Sequence, residues 1–531
     1  MRIFSLTGPS AHRLMIAAVP FKNQHRSDPV SKLCQLFPYP ALVSTMLTLM
    51  DLPNEILSSI IEATEPEDIV SFVTCCKLMY SLARDKLEEH KEKNSLFSTI
   101  FVEDDILSLS RLYGAKYDRS KIQLREFFSD ERNRFYPKSM VVFLPPGGGY
   151  DEGRTAKTSA FDWPEEVGEQ LECRMAEVHS MMGLDIGGIE AEEWGKLVKA
   201  GDLIAIFLLL LALLPNLERF SVENLGQLHQ ALNANCSKIM RLMTEAALEQ
   251  NENGPAFGGR LSECTVNGCQ WRGVEENLLP FFMMLPKMRR IRGYDLGVED
   301  CSWPYGDAVS PVVDLDLHGG IDTVTLSKYI RGIRKLRRFR SHYEYDEEIG
   351  WEPRGIVSTL RQFAFRSLVH LDLTTDVSYG MIQFDSPSGI VSLRSFEVLE
   401  TARLHCILLF ERVQTAYRDE EVYSADFLLD GSLIKAQRLI DFLPSSLRIF
   451  QLESIDEGEI VLDTFEGFPE QRAERLPNLE LISLDAGDEL NSKIEKICKE
   501  AGVQMGSSKE NSAFSDIGSA FPDIGRLVVD S

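Results

Sequence analysis

Five stretches of this chain could in principle bind a ligand or react. Asp314-Leu315-Asp316-Leu317-His318 places two carboxylates and an imidazole at every second position, a set that could hold a divalent cation or a phosphate. The same alternation describes a strand, with Leu315 and Leu317 turned to the core and both aspartates on the other face, toward solvent. Arg331 to Arg340, RGIRKLRRFR, is a basic run whose guanidinium forks suit carboxylates or phosphates, with Leu336 and Phe339 as core positions between the charges. Cys264 and Cys269 are the closest non-adjacent cysteine pair, but no second pair and no matching histidine pair accompany them, which excludes a typical zinc site. Residues 145–164, PPGGGYDEGRTAKTSAFDWP, are glycine-rich without a following Lys-Ser/Thr pair at a helix start, so they read as a surface loop and not as a phosphate loop. The repeated tail, AFSDIG at 513–518 and AFPDIG at 520–525, reads as a docking motif or a duplicated flexible end. The hydrolase, zincin, dinucleotide and kinase motifs are absent. The expectation is a protein that is not an enzyme, with no cofactor and no metal.

Composition narrows the classes further. Eighty-one acidic against 56 basic residues give a net charge of −25 over 531 residues. That balance argues against a broad nucleic-acid footprint, which needs clustered positive charge. The length exceeds what one ordinary core serves. Ten scattered cysteines with no CxxC pair fit a reducing compartment, cytoplasmic or nuclear. The longest apolar run, LIAIFLLLLALL at 203–214, falls short of the roughly 20 residues a bilayer requires, so it reads as a buried helix and no membrane partner is expected. Residues 1–49 lack an acidic residue before Asp28, a pattern shared with mitochondrial-type transit peptides, and read more simply as a flexible leader.

The elements that would position a binding surface begin at Leu52. Leu52-Pro53 opens a helix in which Ile56, Leu57, Ile60 and Ile61 recur at helical spacing. Pro66 opens a second, with Glu67 and Asp68 in its first turn, where carboxylates suit the positive helix end, and with Ile69, Phe72, Val73 and Cys76 on its apolar side. Leu78, Met79, Leu82 and Ala83 mark a third. In this order and spacing, Leu52, Pro53, Glu55, Ile56, Leu57, Pro66, Asp68, Ile69, Cys76 and Lys77 resemble an F-box, although Met79-Tyr80 stands where many members have tryptophan.

A second pattern recurs from residue 217, apolar at offsets 0, 3 and 5. It fits Leu217/Phe220/Val222, Val312/Leu315/Leu317, Leu368/Leu371/Leu373, Leu393/Phe396/Val398, Leu447/Phe450/Leu452 and Leu479/Ile482/Leu484, and more weakly Met288/Ile291/Gly293 and Leu336/Phe339/Ser341. Helical stretches are expected between copies at 324–333, 355–363 and 434–443. Strand–helix units of this kind bury their apolar faces only by stacking. The pattern resembles the degenerate leucine-rich repeats that follow many F-boxes, particularly in fungal proteins, but without the usual asparagine after the strand.

The expected fold class is therefore α/β, an N-terminal three-helix F-box followed by an irregular leucine-rich-repeat-like solenoid. The expected divisions are a leader (1–49), F-box (50–95), helical linker region with a disordered loop at 144–164 (96–210), repeat domain (211–502) and flexible tail (503–531). The resemblance implies a substrate-receptor subunit of a Skp–cullin–F-box ubiquitin ligase, with the Skp adaptor and cullin scaffold as partners and a target protein held by the repeats. A non-degradative scaffold is the alternative, and an enzyme with an unrecognised site a more distant one. The adaptor surface expected is Leu52, Pro53, Ile56, Ile60 and Ile69; target contacts are expected at Arg337 and Arg340. Strand positions such as Leu371 and Leu452 should be core, whereas Asp372, on the intervening position, should tolerate replacement.

Overall fold

The computed structural model describes residues 49–103, 123, 125–143, 167–181, 189–200, 202–223, 239–245, 259–267, 270–272, 278–299, 303, 305–307, 309–321, 323–343, 352–375, 392–412, 434–455 and 458–507. The chain divides into two compact units, Met1–Leu96 and Phe97–Ser531. Residues 1–48 of the expected leader, the glycine-rich loop at 145–164, and the repeated tail motif lie outside the described residues, as does Cys269.

In the first unit, the expected helices form at Asn54–Ala63, Pro66–Val73 and Lys77–Leu82, and a longer one follows at Arg84–Phe97. Pro53 stands at the N-cap of the first and Pro66 in the first turn of the second, where a missing N–H costs nothing. The third is capped by the Cys76 sulfur, which accepts from the Met79 amide at 3.4 Å. Leu57, Ile61, Ile69, Val73, Met79, Ala83 and Leu87 close a small core. Burying each of the larger ones contributes about 1.5–3 kcal/mol, which is what holds so short a module together.

The second unit is built on parallel strands: β1 Thr99–Glu103, β2 Ser139–Phe143, β3 Arg219–Glu223, β4 Glu263–Asn267, β5 Gln270–Arg272, β6 Arg290–Glu299, β7 Asp314–Ile321, β8 Arg338–Tyr343, β9 His370–Thr375, β10 Thr401–His405, β11 Phe410–Arg412, β12 Ile434–Ala436, β13 Ile449–Ile455, β14 Leu481–Ala486 and β15 Gln504–Ser507. They form a 13-stranded sheet in the order β1-β2-β3-β4-β6-β7-β8-β9-β10-β13-β14-β15, with β5 beside β6; β11 and β12 pair separately and antiparallel. Strand order follows chain order, so each crossover steps one place along the sheet.

The recurring apolar offsets explain the architecture. Ile291, Leu315, Phe339, Leu371, Ala402, Phe450 and Ile482 fall on one register line, and all join one continuous core with the helices Leu203–Leu213, Thr323–Arg331 and Pro353–Phe363. The apolar run is a buried helix as expected, capped by Asp202, whose Oδ1 accepts from the Ala205 amide at 2.9 Å. Asparagine does recur, but before the strand: in the two Leu-Pro-Asn-Leu sequences, Asn216 Nδ2 donates to Phe135 O at 2.7 Å and Asn478 Nδ2 to Ser445 O at 2.9 Å, tying each unit to the turn of the one before. Gly502, at φ 69°, ends the helix Asp488–Glu500 in the left-handed region that only glycine enters without strain, and so turns the chain into β15.

Several expectations are corrected. The segment expected as a linker supplies β1 and β2. Leu393–Ser395 is a single 3₁₀ turn and Val398 is exposed; the strand comes later, at Thr401–His405, with Leu399, Ala402 and Leu404 at the apolar offsets. Residues 434–443 form β12 and one short helical turn, Leu439–Phe442. The expected tail begins with β15. Among the described residues no helix is long and apolar enough to cross a membrane.

Candidate binding surface

Each strand that sends offsets 3 and 5 into the core sends offsets 2 and 4 to the opposite, polar face of the sheet. Aligned by register, offset 2 reads Glu263, Arg290, Asp314, Arg338, His370 and Thr401, and offset 4 reads Arg292, Asp316, Arg340, Asp372 and Arg403. Signs alternate from strand to strand, so opposite charges become cross-strand neighbours.

Asp314 Oδ2 accepts from Arg290 Nε at 2.8 Å and from Arg338 Nη1 at 3.2 Å, and Arg290 reaches Glu263 Oε1 at 3.3 Å. Asp316 Oδ2 lies 3.3 Å from Arg340 Nη1, while Asp372 Oδ2 accepts from Arg340 Nε at 2.9 Å and Arg403 Nη1 at 3.4 Å. Arg403 ends the second chain on Glu453 Oε1 at 2.5 Å. Four arginines thus meet five carboxylates, and with the Arg292 charge acting on Asp316 this face is close to neutral in a strongly acidic chain.

The aspartates do not project freely into solvent as the alternation implied. Asp314 and Asp316 are 8% exposed and Asp372 is 7%, because the arginine stems on flanking strands cover them. Burial pushes Asp316 up, but the hydrogen bond from His318 Nε2 at 3.0 Å and the Arg340, His318 and Arg292 charges outweigh it, leaving the carboxyl below its ordinary value. At Asp372, burial wins over Arg403 and Arg340 and the carboxyl sits above its ordinary value. Arg338, Phe339, Arg340, His370, Leu371, Asp372 and Thr401 line a pocket of about 20 Å³, room for a water or little more. Arg338 Nε, His370 Nδ1 and Asp372 Oδ1 around it make no hydrogen bond within the protein.

One step further along the strands is a row of rings. Tyr294 and His318 have centroids 4.8 Å apart, and His318 and His342 5.3 Å. His342 Nδ1 bonds Thr374 Oγ1 at 2.9 Å. Burial, with the His342 charge, drives His405 down to about 4.

The two arginines expected to act together are separated. Arg340 is a rung of the ladder, with its Nε given to Asp372 and its Nη1 to Asp316. Arg337 precedes β8 and is exposed. Its amide donates to Val313 O, whose own amide donates to Arg289 O, and its carbonyl accepts from Val369; Arg289, Val313, Arg337 and Val369 therefore form a rim row at offset 1. In the first unit, Pro53 is exposed, Leu52, Ile56 and Ile60 are half-buried, and Ile69 is core. The exposed apolar side chains there are Val70, Leu78 and Tyr80.

Arg290, Arg403, Glu263 and Glu453 were missed by motif reading because each is unremarkable in its own segment. Aligning repeats on the apolar offsets and comparing the intervening positions reveals the alternation. Among the described residues, the three acidic groups close enough to share a cation are Glu65, Glu67 and Asp68, all exposed, at a helix start that favours carboxylates without one. Burial holds the Cys264 thiol well above its ordinary value, as for an inert core thiol. No protein-family model and no curated protein sequence matches this chain.

Proposed function

We propose that this chain is a substrate-receptor subunit of a Skp–cullin–F-box ubiquitin ligase. In this reading, the first unit is an F-box that binds the Skp adaptor, and the second is a divergent leucine-rich-repeat domain that holds a target protein. The observation that carries the reading is the first unit: three short helices in the F-box order, opened by Leu52-Pro53, with apolar side chains left on the surface. Of the six large hydrophobic side chains that are exposed among the described residues, Val70, Leu78 and Tyr80 belong to this small module. Exposed apolar groups concentrated in this way mark an interface. Leu52, Pro53, Ile56 and Ile60 extend the candidate contact surface; Ile69 would support it from within.

The second unit suits target holding because its polar face runs uninterrupted across successive strands. A receptor contributes to ubiquitin transfer by raising the effective concentration of target near the conjugating enzyme, and so requires no catalytic side chains of its own.

The test is affinity capture of the tagged whole chain from cells, alongside Leu52→Ala/Pro53→Ala. The wild type should bring down adaptor and cullin; the variant should lose both yet keep its other partners. Adaptor capture by the variant equal to wild type refutes the F-box reading, and adaptor without cullin in the wild type supports the scaffold alternative instead.

A further inference from the structure

The four ladder arginines of the polar face each already meet a carboxylate, so unused positive charge must be sought elsewhere. It lies on the rim where strands β6 to β8 begin. Lys287, Arg289, Arg334, Lys335 and Arg337 are all exposed there, and among the described residues none has a carboxylate partner. The turns entering these strands, 286–289, 309–313 and 332–337, contain no Asp or Glu. Elsewhere on the same rim row the cations are matched: Lys138 faces Glu218 at 3.9 Å and Arg448 faces Glu480 at 3.0 Å. The gap in pairing is therefore local to β6–β8.

Arg289 and Arg337 flank Val313 on the rim row, as the backbone bonds Val313 N to Arg289 O at 2.9 Å and Arg337 N to Val313 O at 2.9 Å establish. Two strand spacings set their backbones roughly 10 Å apart. Arg289 Nη1 is already steadied over the β7 entrance by Pro311 O at 3.2 Å. The floor between them, Val313, is half-buried and apolar.

We propose that this rim is a docking surface for an acidic protein segment, with Arg289 and Arg337 each holding one carboxylate. A polyproline II segment repeats every three residues and rises about 3.1 Å per residue, so acids three residues apart lie on one face and span the required distance, with an apolar residue between them beside Val313. Two cations at this separation match two separate anions better than one compact anion, and the chain's charge of −25 opposes a long polyanion such as a nucleic acid. Identifying the segment with a ubiquitination target rests on the receptor reading above, but the binding itself needs no adaptor, so either can fail alone.

The experiment is fluorescence anisotropy with the full chain at 50 mM salt. The probe is a labelled Gly/Ser dodecapeptide carrying Glu at positions 5 and 8 and Val at position 6. Controls carry Gln at 5 and 8, or a single phosphoserine at 5, and dodecathymidylate serves as the nucleic-acid arm. The two-glutamate peptide should bind about tenfold tighter than its glutamine twin, and Arg289→Glu/Arg337→Glu should abolish the difference at unchanged melting temperature. If the double variant does not fold, Arg337→Glu alone should remove most of it. Equal binding of the glutamate and glutamine peptides, or an effect that survives charge reversal, overturns the proposal. So does tighter binding of the phosphoserine peptide or the oligonucleotide, which would make the rim a single-anion or nucleic-acid surface.

Discussion

Replacing Asp372 with alanine tests whether the polar face is a structural ladder or a set of free surface charges. Its Oδ2 accepts from Arg340 Nε at 2.9 Å and Arg403 Nη1 at 3.4 Å while the residue is 7% exposed. Losing a charge-assisted hydrogen bond costs roughly 1.5–3 kcal/mol, and stripping one partner from a buried ion pair about 3–5. Two features reduce that loss. Arg340 keeps Asp316 and Arg403 keeps Glu453, and the burial that lifts the Asp372 carboxyl above its ordinary value is itself a cost that the substitution removes. The net should be about 2 kcal/mol of destabilisation, read as a shift in the urea midpoint at unchanged slope. Combining Asp372→Ala with Arg340→Met in a double-mutant cycle should return a coupling of about 1 kcal/mol. A loss below about 0.5 kcal/mol, or no coupling, would refute the ladder and restore the simpler picture of solvated aspartates.

Leu371→Ala and Leu452→Ala remove fully buried side chains and should each cost about 2–5 kcal/mol in the same urea assay. Asp202→Ala should cost about 1 kcal/mol by uncapping the apolar helix. His405 has a folded value of about 4 against an ordinary 6.5, so as pH falls the unfolded chain takes up the proton first. Stability should therefore be complete above pH 6.5 and decline by roughly 3 kcal/mol toward pH 4. Burial lowers His370 and His179 in the same direction; His405→Gln should flatten the decline measured by melts across that range, and an unchanged slope would contradict the assignment.

Much of the strand framework was legible because burial imposes offsets 3 and 5 on almost every unit. Leu315, Phe339, Leu371 and Leu452 could be placed in the core from spacing alone. The pattern failed at Leu393, where a second apolar triplet sits in a 3₁₀ turn just ahead of the true strand. It also failed where the apolar positions were filled by unexpected residue types. Cys264 with Val266 reads as a thiol of interest before it reads as strand β4, and Pro137, Met140 and Val142 do not look like a repeat at all. The candidate surface was half legible. The charges were visible as Asp-x-Asp and as an arginine run, but each was read within its own segment, where alternation implies exposure. Their burial depends on neighbours 24 to 32 residues away, such as Arg338 on Asp314 and Arg340 on Asp372. The distinction between Arg337 and Arg340 has the same origin: three positions apart in one basic run, they occupy different rows of the sheet.

Binding of a Skp adaptor by the first unit, as proposed, is tested by calorimetric titration of purified adaptor into the purified full chain. A saturable one-to-one complex is expected, lost on Leu52→Ala/Pro53→Ala and weakened at least about tenfold by Leu78→Asp/Tyr80→Asp, which charges the exposed apolar side chains without touching the core. No detectable heat and no co-elution with wild-type chain, or binding equally strong in both variants, would contradict it.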